Sequence, residues 1–211
     1  LASAPFQSSE GQQNFGALAG GMNFAFANRH MIAHFVREAW HAVLGNSGGE
    51  LSMVYDVAHN TAKLETQDVN GTQKRLLVHR KGATRAFPSG HPDIVEKYRS
   101  VGQPVFIPGS MGTASYVLVG TAEGKEAFFT TCHGAGRMMS RHAAIRNLSA
   151  QEIIASLERQ GILVKCWSLR GIAEEAPQAY KNIDDVIEVV HNAGISRKVA
   201  RLAPLAVIKG E

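Results

Sequence analysis

The residues best suited to chemistry lie in one stretch, residues 130–141 (TTCHGAGRMMSR). His133 follows a short run of strand-forming residues and leads into two glycines separated by one alanine. Arg137 and Arg141 then follow four positions apart, a spacing that places two side chains on one face of a helix. An imidazole here can serve as a general base, a metal ligand or a covalent nucleophile that attacks a phosphoryl group. The glycines leave the backbone accessible beside the imidazole, and the arginines supply cationic donors. The stretch therefore favours phosphate chemistry.

A second candidate is the pair His59 and Asn60, which follows a strand predicted over residues 51–57. Imidazole nitrogen is a good ligand for several divalent metals, and a neighbouring amide can bind a ligand or orient the ring. A strand-end histidine satisfied by backbone groups is the plainer alternative. No second histidine stands at ligand spacing from His59, and one histidine does not hold a metal by itself.

A basic stretch and a small-residue loop add two further candidates for anion binding. Arg80, Lys81 and Arg85 surround Gly82, where they would clamp phosphates or simply remain solvated. Residues 109–115 form a Gly/Ser/Thr loop between two predicted strands, and we expect its amides and hydroxyls to be available to an anion. The loop lacks the lysine of a P-loop, so a plain tight turn is the alternative.

The first half of the chain supplies the elements that position His59. A long apolar periodicity predicts a helix over residues 12–44, with serines available as a cap at its start. Its glycines lower helix propensity, so we expect this helix to pack closely against a neighbour. The other predicted elements are strands over residues 51–57, 61–66 and 74–79, the last two joined by a hairpin turn at Asn70 and Gly71.

The second half supplies the elements around His133. Predicted strands cover residues 103–108, 127–132, 162–166 and 205–211. Predicted helices cover residues 137–146, 150–160 and 182–192, and residues 171–179 are expected to be a loop. Ser149 and Glu152 form a capping-box pattern for the second of these helices.

Bulk composition indicates a globular chain of one domain or most of one. Of its 211 residues, 45% are hydrophobic and 19% are charged, and the net charge of +4 suits a polyanionic partner without requiring one. Two cysteines without a disulfide framework favour a reducing cytoplasm. No apolar run approaches the about 18–20 residues of a membrane span. The chain opens on leucine, which suggests a processed chain or a fragment.

Taken together, four segments resemble the RtcB family of RNA-splicing ligases. They are residues 56–60 (DVAHN), 79–85 (HRKGATR), 108–116 (PGSMGTASY) and 132–137 (CHGAGR), and the ending VIKG at 207–210 agrees with them. The resemblance implies an α+β fold, with mixed β-sheets and flanking helices around a central cleft. It also implies that residues 1–211 are a C-terminal catalytic portion, truncated at the N-terminus.

The resemblance further implies a GTP- and Mn²⁺-dependent enzyme that joins a 3′-phosphate or 2′,3′-cyclic phosphate RNA end to a 5′-hydroxyl end, as in tRNA splicing and RNA repair. His133 would be the guanylylated residue, and His59 would bind manganese, with Asn60 beside the guanylate. Other nucleotide contacts would come from Pro108, Gly109, Ser110, Met111, Ser115, Gly134, Ala135, Gly136, Tyr180 and Lys209. RNA phosphates would meet Lys81, Arg137 and Arg141, and Arg80 and Arg85 would add positive charge to the RNA path.

The chain departs from the family pattern in lacking the segments that carry the other metal ligands. Of the family's metal ligands, His59 alone is expected here. The partners implied are therefore RNA, GTP and either a missing N-terminal half or an activator protein. The alternative is a non-catalytic nucleotide- or RNA-binding fragment that lacks most of the metal site.

Overall fold

The computed structural model describes residues 3–208, which divide after Thr84 into two compact units. Helices and small antiparallel sheets make up both units, which confirms the predicted α+β class. Within residues 3–208, no helix combines the length and the apolar character needed to cross a membrane.

The first unit begins with the long helix α1 (Ser9–Leu44), close to the predicted bounds. The Ser8 hydroxyl caps it by accepting from the Gly11 amide at 3.1 Å, and Gly45 ends it at a φ of 54°. The expected close packing at its glycines was wrong within the described chain. A Cβ placed on Gly16 or Gly20 would meet nothing within 4 Å.

An antiparallel hairpin completes the first unit. Strands β1 (Asn60–Val69) and β2 (Thr72–Lys81) pair along their whole length, from Asn60 opposite Lys81 to Val69 opposite Thr72. Asn70 and Gly71 adopt φ values of 54° and 78°, which confirms the predicted turn.

The strand predicted over residues 51–57 was wrong: this segment forms no strand, and side chains of α1 hold it in place. Arg37 on α1 donates to the Leu51 carbonyl at 2.8 Å. Arg29 forms an ion pair with Asp56 at 2.7 Å. These bonds hold the segment that leads to His59 without a sheet.

The second unit is built on a three-stranded sheet in the order β4-β5-β7. Helix α6 buries Ile183 and Ile187 in a cluster with Ile107 and Leu118 of this sheet. The elements after β2 are β3 (Ala83–Arg85), α2 (Glu96–Arg99), β4 (Pro104–Ile107), β5 (Ser115–Gly120), β6 (Thr130–Cys132), α3 (Arg141–Asn147), α4 (Ala150–Arg159), α5 (Leu169–Glu174), α6 (Ile183–Asn192) and β7 (Ser196–Leu202).

Helices α4 and α5 form a second apolar cluster in the same unit. Its buried members include Ile153, Leu157 and Ile172, with Met111 packed at its edge. The Ser149 hydroxyl accepts from the Glu152 amide at 3.3 Å and so caps α4 as predicted.

Several predicted boundaries in the second unit were wrong. The helix predicted from residue 137 begins at Arg141. The strand predicted over residues 127–132 is shortened to β6, and residue 127 instead ends a 3-10 helix over Ala122–Ala127. Residues 162–166 and 205–208 form no strand, whereas the loop expected over 171–179 contains most of α5 and a 3-10 turn. Strand β7 was not predicted at all.

Candidate functional site

A cavity of about 590 Å³ in the second unit is lined by four separate parts of the chain. They are the loop after β4, the glycine-rich segment after His133, the segment that leads into α6, and Arg201 on β7. The lining residues predicted to contact a nucleotide are Pro108, Gly109, Ser110, Gly134, Ala135, Gly136 and Tyr180. The structure therefore brings together two motifs, residues 108–116 and 132–137, that are not adjacent in sequence.

The loop over residues 109–115 is closed by its own hydroxyl groups. The Gly109 amide donates to Ser115 Oγ at 3.1 Å, and the Ser110 amide donates to Thr113 Oγ1 at 2.7 Å. The Ser110 hydroxyl itself donates to the Glu175 carbonyl at 2.8 Å. The expectation that these amides and hydroxyls are all available to an anion was therefore wrong.

Gly109 is required by this tight closure. A Cβ there would lie 2.1 Å from the Ala114 carbonyl oxygen, far inside van der Waals contact. Ser115 is buried behind the loop, and Met111 packs against the α4–α5 cluster. Ser115 and Met111, both predicted to contact the nucleotide, thus lie on the core side of the loop.

The segment that carries His133 is held on both sides. Before it, the hydroxyl groups of Thr131 and Ser196 are 3.0 Å apart in a buried hydrogen bond. After it, the Gly136 carbonyl accepts from the Lys181 amide at 2.9 Å. Burial raises the pKa of the neighbouring Cys132 thiol, so the thiol stays protonated beside the imidazole.

Arg137 ties the glycine-rich segment to the residues before α6. Its Nη1 donates to the Tyr180 hydroxyl at 2.9 Å, its Nη2 to the Glu174 carbonyl at 2.7 Å and its Nε to the Met139 carbonyl at 3.0 Å. The guanidinium also lies 4.7 Å from the Tyr180 ring centroid. Most of the hydrogen-bond donors of Arg137 are thus used within the protein. Its contact with RNA stays a prediction.

Tyr180 joins this network through its hydroxyl. It donates to Glu175 Oε2 at 2.5 Å while it accepts from Arg137. Burial first, and then the Glu175 carboxylate, raise the pKa of Tyr180 to about 12. Arg141, predicted to meet RNA, forms an ion pair with Glu174 at 2.8 Å and leaves 68% of its side chain exposed.

A second polar cluster on the cavity wall was missed in the sequence. Tyr116 donates its hydroxyl to Asp184, and Arg201 Nε donates to the same hydroxyl at 3.2 Å. The hydrogen bond from Tyr116 is the main reason that the pKa of Asp184 lies below its ordinary value. Because Tyr116 and Arg201 are register partners on β5 and β7, the sheet itself sets this geometry. The cavity wall therefore carries a guanidinium beside a carboxylate.

In the first unit, His59 and Asn60 stand where the hairpin begins. The Asn60 side-chain oxygen accepts from the Gly82 amide at 3.2 Å, which closes the open end of the hairpin. Partial burial, then the charges of Lys81 and Arg29, lower the pKa of His59. A neutral imidazole is the form that ligates a metal, so this environment is compatible with the predicted role. Lys81 is exposed at the same end.

A complete metal site is not formed by the described residues. Within residues 3–208, no group of three histidine, cysteine, aspartate or glutamate side chains is arranged to hold an ion. Manganese therefore does not fit this part of the chain alone. The predicted nucleotide contact at Lys209 lies outside the described residues.

The positive charge expected at Arg80 is buried, whereas Arg85 is partly exposed. Arg80 is 3% exposed and makes a bidentate pair with the buried Glu65, at 2.7 and 2.9 Å. Arg85 donates to the Gln103 side chain at 3.1 Å and covers the Phe87 ring at 4.5 Å. The expectation was wrong for Arg80 because its charge is enclosed in the hairpin.

Comparison with known proteins agrees with the motifs on the cavity wall. Residues 1–210 match the protein-family model described as tRNA-splicing ligase RtcB. A tRNA-splicing ligase RtcB of Thermococcus kodakarensis is 56% identical over the whole chain, which covers 44% of that protein. The corresponding values are 55% and 44% for the protein of that name in Archaeoglobus fulgidus. They are 49% and 48% for an RNA-splicing ligase RtcB of Mycobacterium bovis.

The matches thus cover the whole of this chain but only part of each relative. The chain spans less than half the length of the curated relatives it matches. Because the family model covers almost every residue, including both motifs that meet at the cavity, this chain belongs to the RtcB family.

Proposed function

We propose that this chain supplies the nucleotide-binding, histidine-bearing part of an RNA ligase that uses GTP and Mn²⁺. The ligase would join 3′-phosphate or 2′,3′-cyclic phosphate ends to 5′-hydroxyl ends in tRNA splicing or RNA repair. The observation that carries the proposal is the cavity in which Pro108, Gly109 and Ser110 face the segment that directly follows His133. Family membership and the names of the relatives support the choice of an RNA ligase.

The cavity suits a nucleotide in size and in lining. Its volume of about 590 Å³ falls in the range of roughly 300–1,000 Å³ found for small-molecule sites. Gly134 and Gly136 leave room for close approach, since a Cβ on either would meet nothing within 4 Å. Tyr180 offers an aromatic face, and the nearby guanidinium of Arg201 offers hydrogen-bond donors.

His133 would be the residue that accepts the guanylyl group. A nitrogen of its imidazole would bond to the α-phosphorus of GTP as the bond to the pyrophosphate oxygen breaks, and the electron pair would leave with pyrophosphate. The imidazole would pass its proton to solvent or to a nearby base. The contacts of Thr131 and Gly136 on either side of His133 would keep the ring in position for this attack.

Manganese enters the proposal through His59 alone. Neutral imidazole is a suitable ligand, and the lowered pKa keeps it neutral at physiological pH. Further ligands would have to come from elsewhere in an RtcB protein or from another chain, so the reaction described above includes no step at the metal.

Since neither cysteine is in a disulfide, we place the protein in the cytoplasm.

Equilibrium binding of GTP tests the role of the cavity. We expect the 211-residue chain to bind GTP, and Arg201→Gln to weaken binding by about tenfold, because a charge-assisted hydrogen bond is lost. Arg197→Gln, an exposed arginine on the same strand, is the matched control. Binding that neither substitution changes would exclude the cavity as the nucleotide site.

A second candidate function is non-catalytic binding of a nucleotide or RNA. The observation in its favour is the lack of a three-ligand metal group within residues 3–208. This candidate predicts GTP binding that is indifferent to Mn²⁺ and to His133→Ala, together with no covalent labelling of the chain. The ligase proposal predicts labelling that requires His133.

A further inference from the structure

The segment between α4 and α5 presents an outward-facing row of side chains in the second unit. Residues 162–166 form no strand, yet their burial alternates. Ile162 and Val164 pack against the α4–α5 cluster. Leu163, Lys165 and Trp167 face solvent, and we call these three residues the outer row.

The exposure of the outer row is fixed by the packing beneath it. Because Ile162 and Val164 are packed against the cluster, the exposed positions between and after them point away from it. Trp167 is 98% exposed and Leu163 is 75% exposed. A single exposed apolar side chain needs no explanation, but an exposed indole two residues from a lysine and four from a leucine forms a combined surface.

The chain segment that carries the outer row contains only basic charged residues. Residues 159–170 contain three basic side chains and no acidic one, namely Arg159, Lys165 and Arg170. All three are exposed. An aromatic face among basic side chains is the combination with which proteins bind single-stranded nucleic acid, because bases stack on the ring and phosphates meet the cations. A hydrophobic protein partner would not require this excess of positive charge.

The segment that carries the outer row begins beside the cavity. The Ile162 side chain would lie 3.3 Å from a Cβ on Gly112, which is itself part of the cavity wall. At its other end, Ser168 caps α5 by accepting from the Gly171 amide at 3.1 Å. At the end of that helix the Glu174 carbonyl accepts from Arg137, and the carbonyl of its C-cap residue Glu175 accepts from Ser110 on the cavity wall.

We propose that the outer row is a binding site for single-stranded RNA, with a base stacked on Trp167 and phosphates bound by Lys165 and Arg170. The site would hold a strand next to the cavity, and this inference rests on the RNA ligase function proposed above. It assigns a contact that involves none of the residues predicted from the family motifs.

Fluorescence anisotropy with a fluorescein-labelled decauridylate tests the proposal. We expect Trp167→Ala to weaken binding at least about fivefold, because one stacking contact is lost, and Trp167→Phe to retain most of the affinity. Lys165→Gln should lower the slope of log affinity against log salt by about one. Phe24→Ala is the matched control, since Phe24 is an aromatic residue that is 76% exposed on α1.

The indole reports stacking directly. The chain has two tryptophans, and Trp40 donates its indole N–H to the Gly48 carbonyl at 2.9 Å. In a Trp40→Phe background, decauridylate should quench the emission of Trp167, and a duplex of equal length should quench it much less. Affinity within about twofold of the parent in Trp167→Ala, or equal loss in Phe24→Ala, would overturn the proposal and leave the outer row to a protein partner.

Failure of this inference can be separated from failure of the proposed function. RNA binding that depends on Trp167, together with a GTP label that persists in His133→Ala, would reject the ligase role and keep the RNA site. Labelling at His133 together with RNA binding that is indifferent to Trp167 would reject the RNA site and keep the ligase role.

Discussion

Arg137 Nη1 donates to the Tyr180 hydroxyl over 2.9 Å, and the same guanidinium lies over the Tyr180 ring. This contact joins the segment after His133 to the segment that enters α6, and both segments line the cavity. The wall that would receive a nucleotide is therefore preformed by a bridge between side chains that are 43 residues apart.

Tyr180→Phe should destabilise the chain by about 1–2 kcal/mol near neutral pH, because Arg137 and Glu175 each lose a partner. The difference should shrink above about pH 10. There the unfolded tyrosine ionises while the folded one, with a pKa of about 12, keeps its proton, so the parent loses stability as pH rises. Urea unfolding of both proteins at several pH values measures this. A constant difference up to pH 12 would contradict the assigned pKa.

The buried pair of Glu65 and Arg80 should show strong coupling. Each side chain is almost fully enclosed in the hairpin, so Glu65→Gln or Arg80→Met alone should destabilise by about 3–5 kcal/mol, since one charge loses its partner. The double variant should cost much less than the sum of the two. Urea unfolding of the four proteins gives the coupling energy. Additive losses would show that the two charges do not act as a pair.

Gly109→Ala should distort the loop on the cavity wall, because the new Cβ would lie 2.1 Å from a backbone oxygen. We expect a loss of stability of roughly 1–3 kcal/mol and at least tenfold weaker GTP binding. Gly16→Ala is the control, as its Cβ would meet nothing within 4 Å and alanine favours a helix by about 1 kcal/mol. Equal behaviour of the two variants in thermal unfolding and GTP binding would refute the tight closure.

Lys81→Gln should raise the pKa of His59 towards its ordinary value, since the Lys81 charge is the second cause of its lowering after partial burial. A histidine with a lowered folded pKa costs stability as pH falls below about 6.5, where the unfolded imidazole binds its proton first. The variant should lose less stability on acidification. NMR titration of the His59 ring, with Lys74→Gln at the far end of the hairpin as control, measures the shift. No difference between the variants would contradict the assigned cause.

Local signals in the sequence sufficed where one short-range interaction decides the structure. Asn70 and Gly71 adopt the positive φ values that a tight hairpin needs, and Ser149 caps α4. The glycine-rich segment and the loop after β4 were predicted to share one ligand, and they do share one cavity. The identity of that ligand stays a prediction.

Structure set by distant side chains was not accessible from the sequence. Residues 137–140 are not helical because the Met138 amide and the Arg137 guanidinium bond to residues 174–180. Strand β7 was missed because the basic residues Arg197, Lys198 and Arg201 obscure the alternation of apolar and polar side chains that is typical of a strand. With β7 missing from the prediction, the cluster of Tyr116, Asp184 and Arg201 could not be found.

The most direct measurement is covalent labelling with GTP carrying radioactive phosphorus at the α position, in the presence of Mn²⁺, of this chain combined with the part of an RtcB protein that supplies the remaining metal ligands. We expect an acid-labile label on the peptide that contains His133, its loss in His133→Ala and its retention in His142→Ala, which changes an exposed histidine on α3. Label that persists in His133→Ala would contradict the assignment of His133 as the guanylyl acceptor.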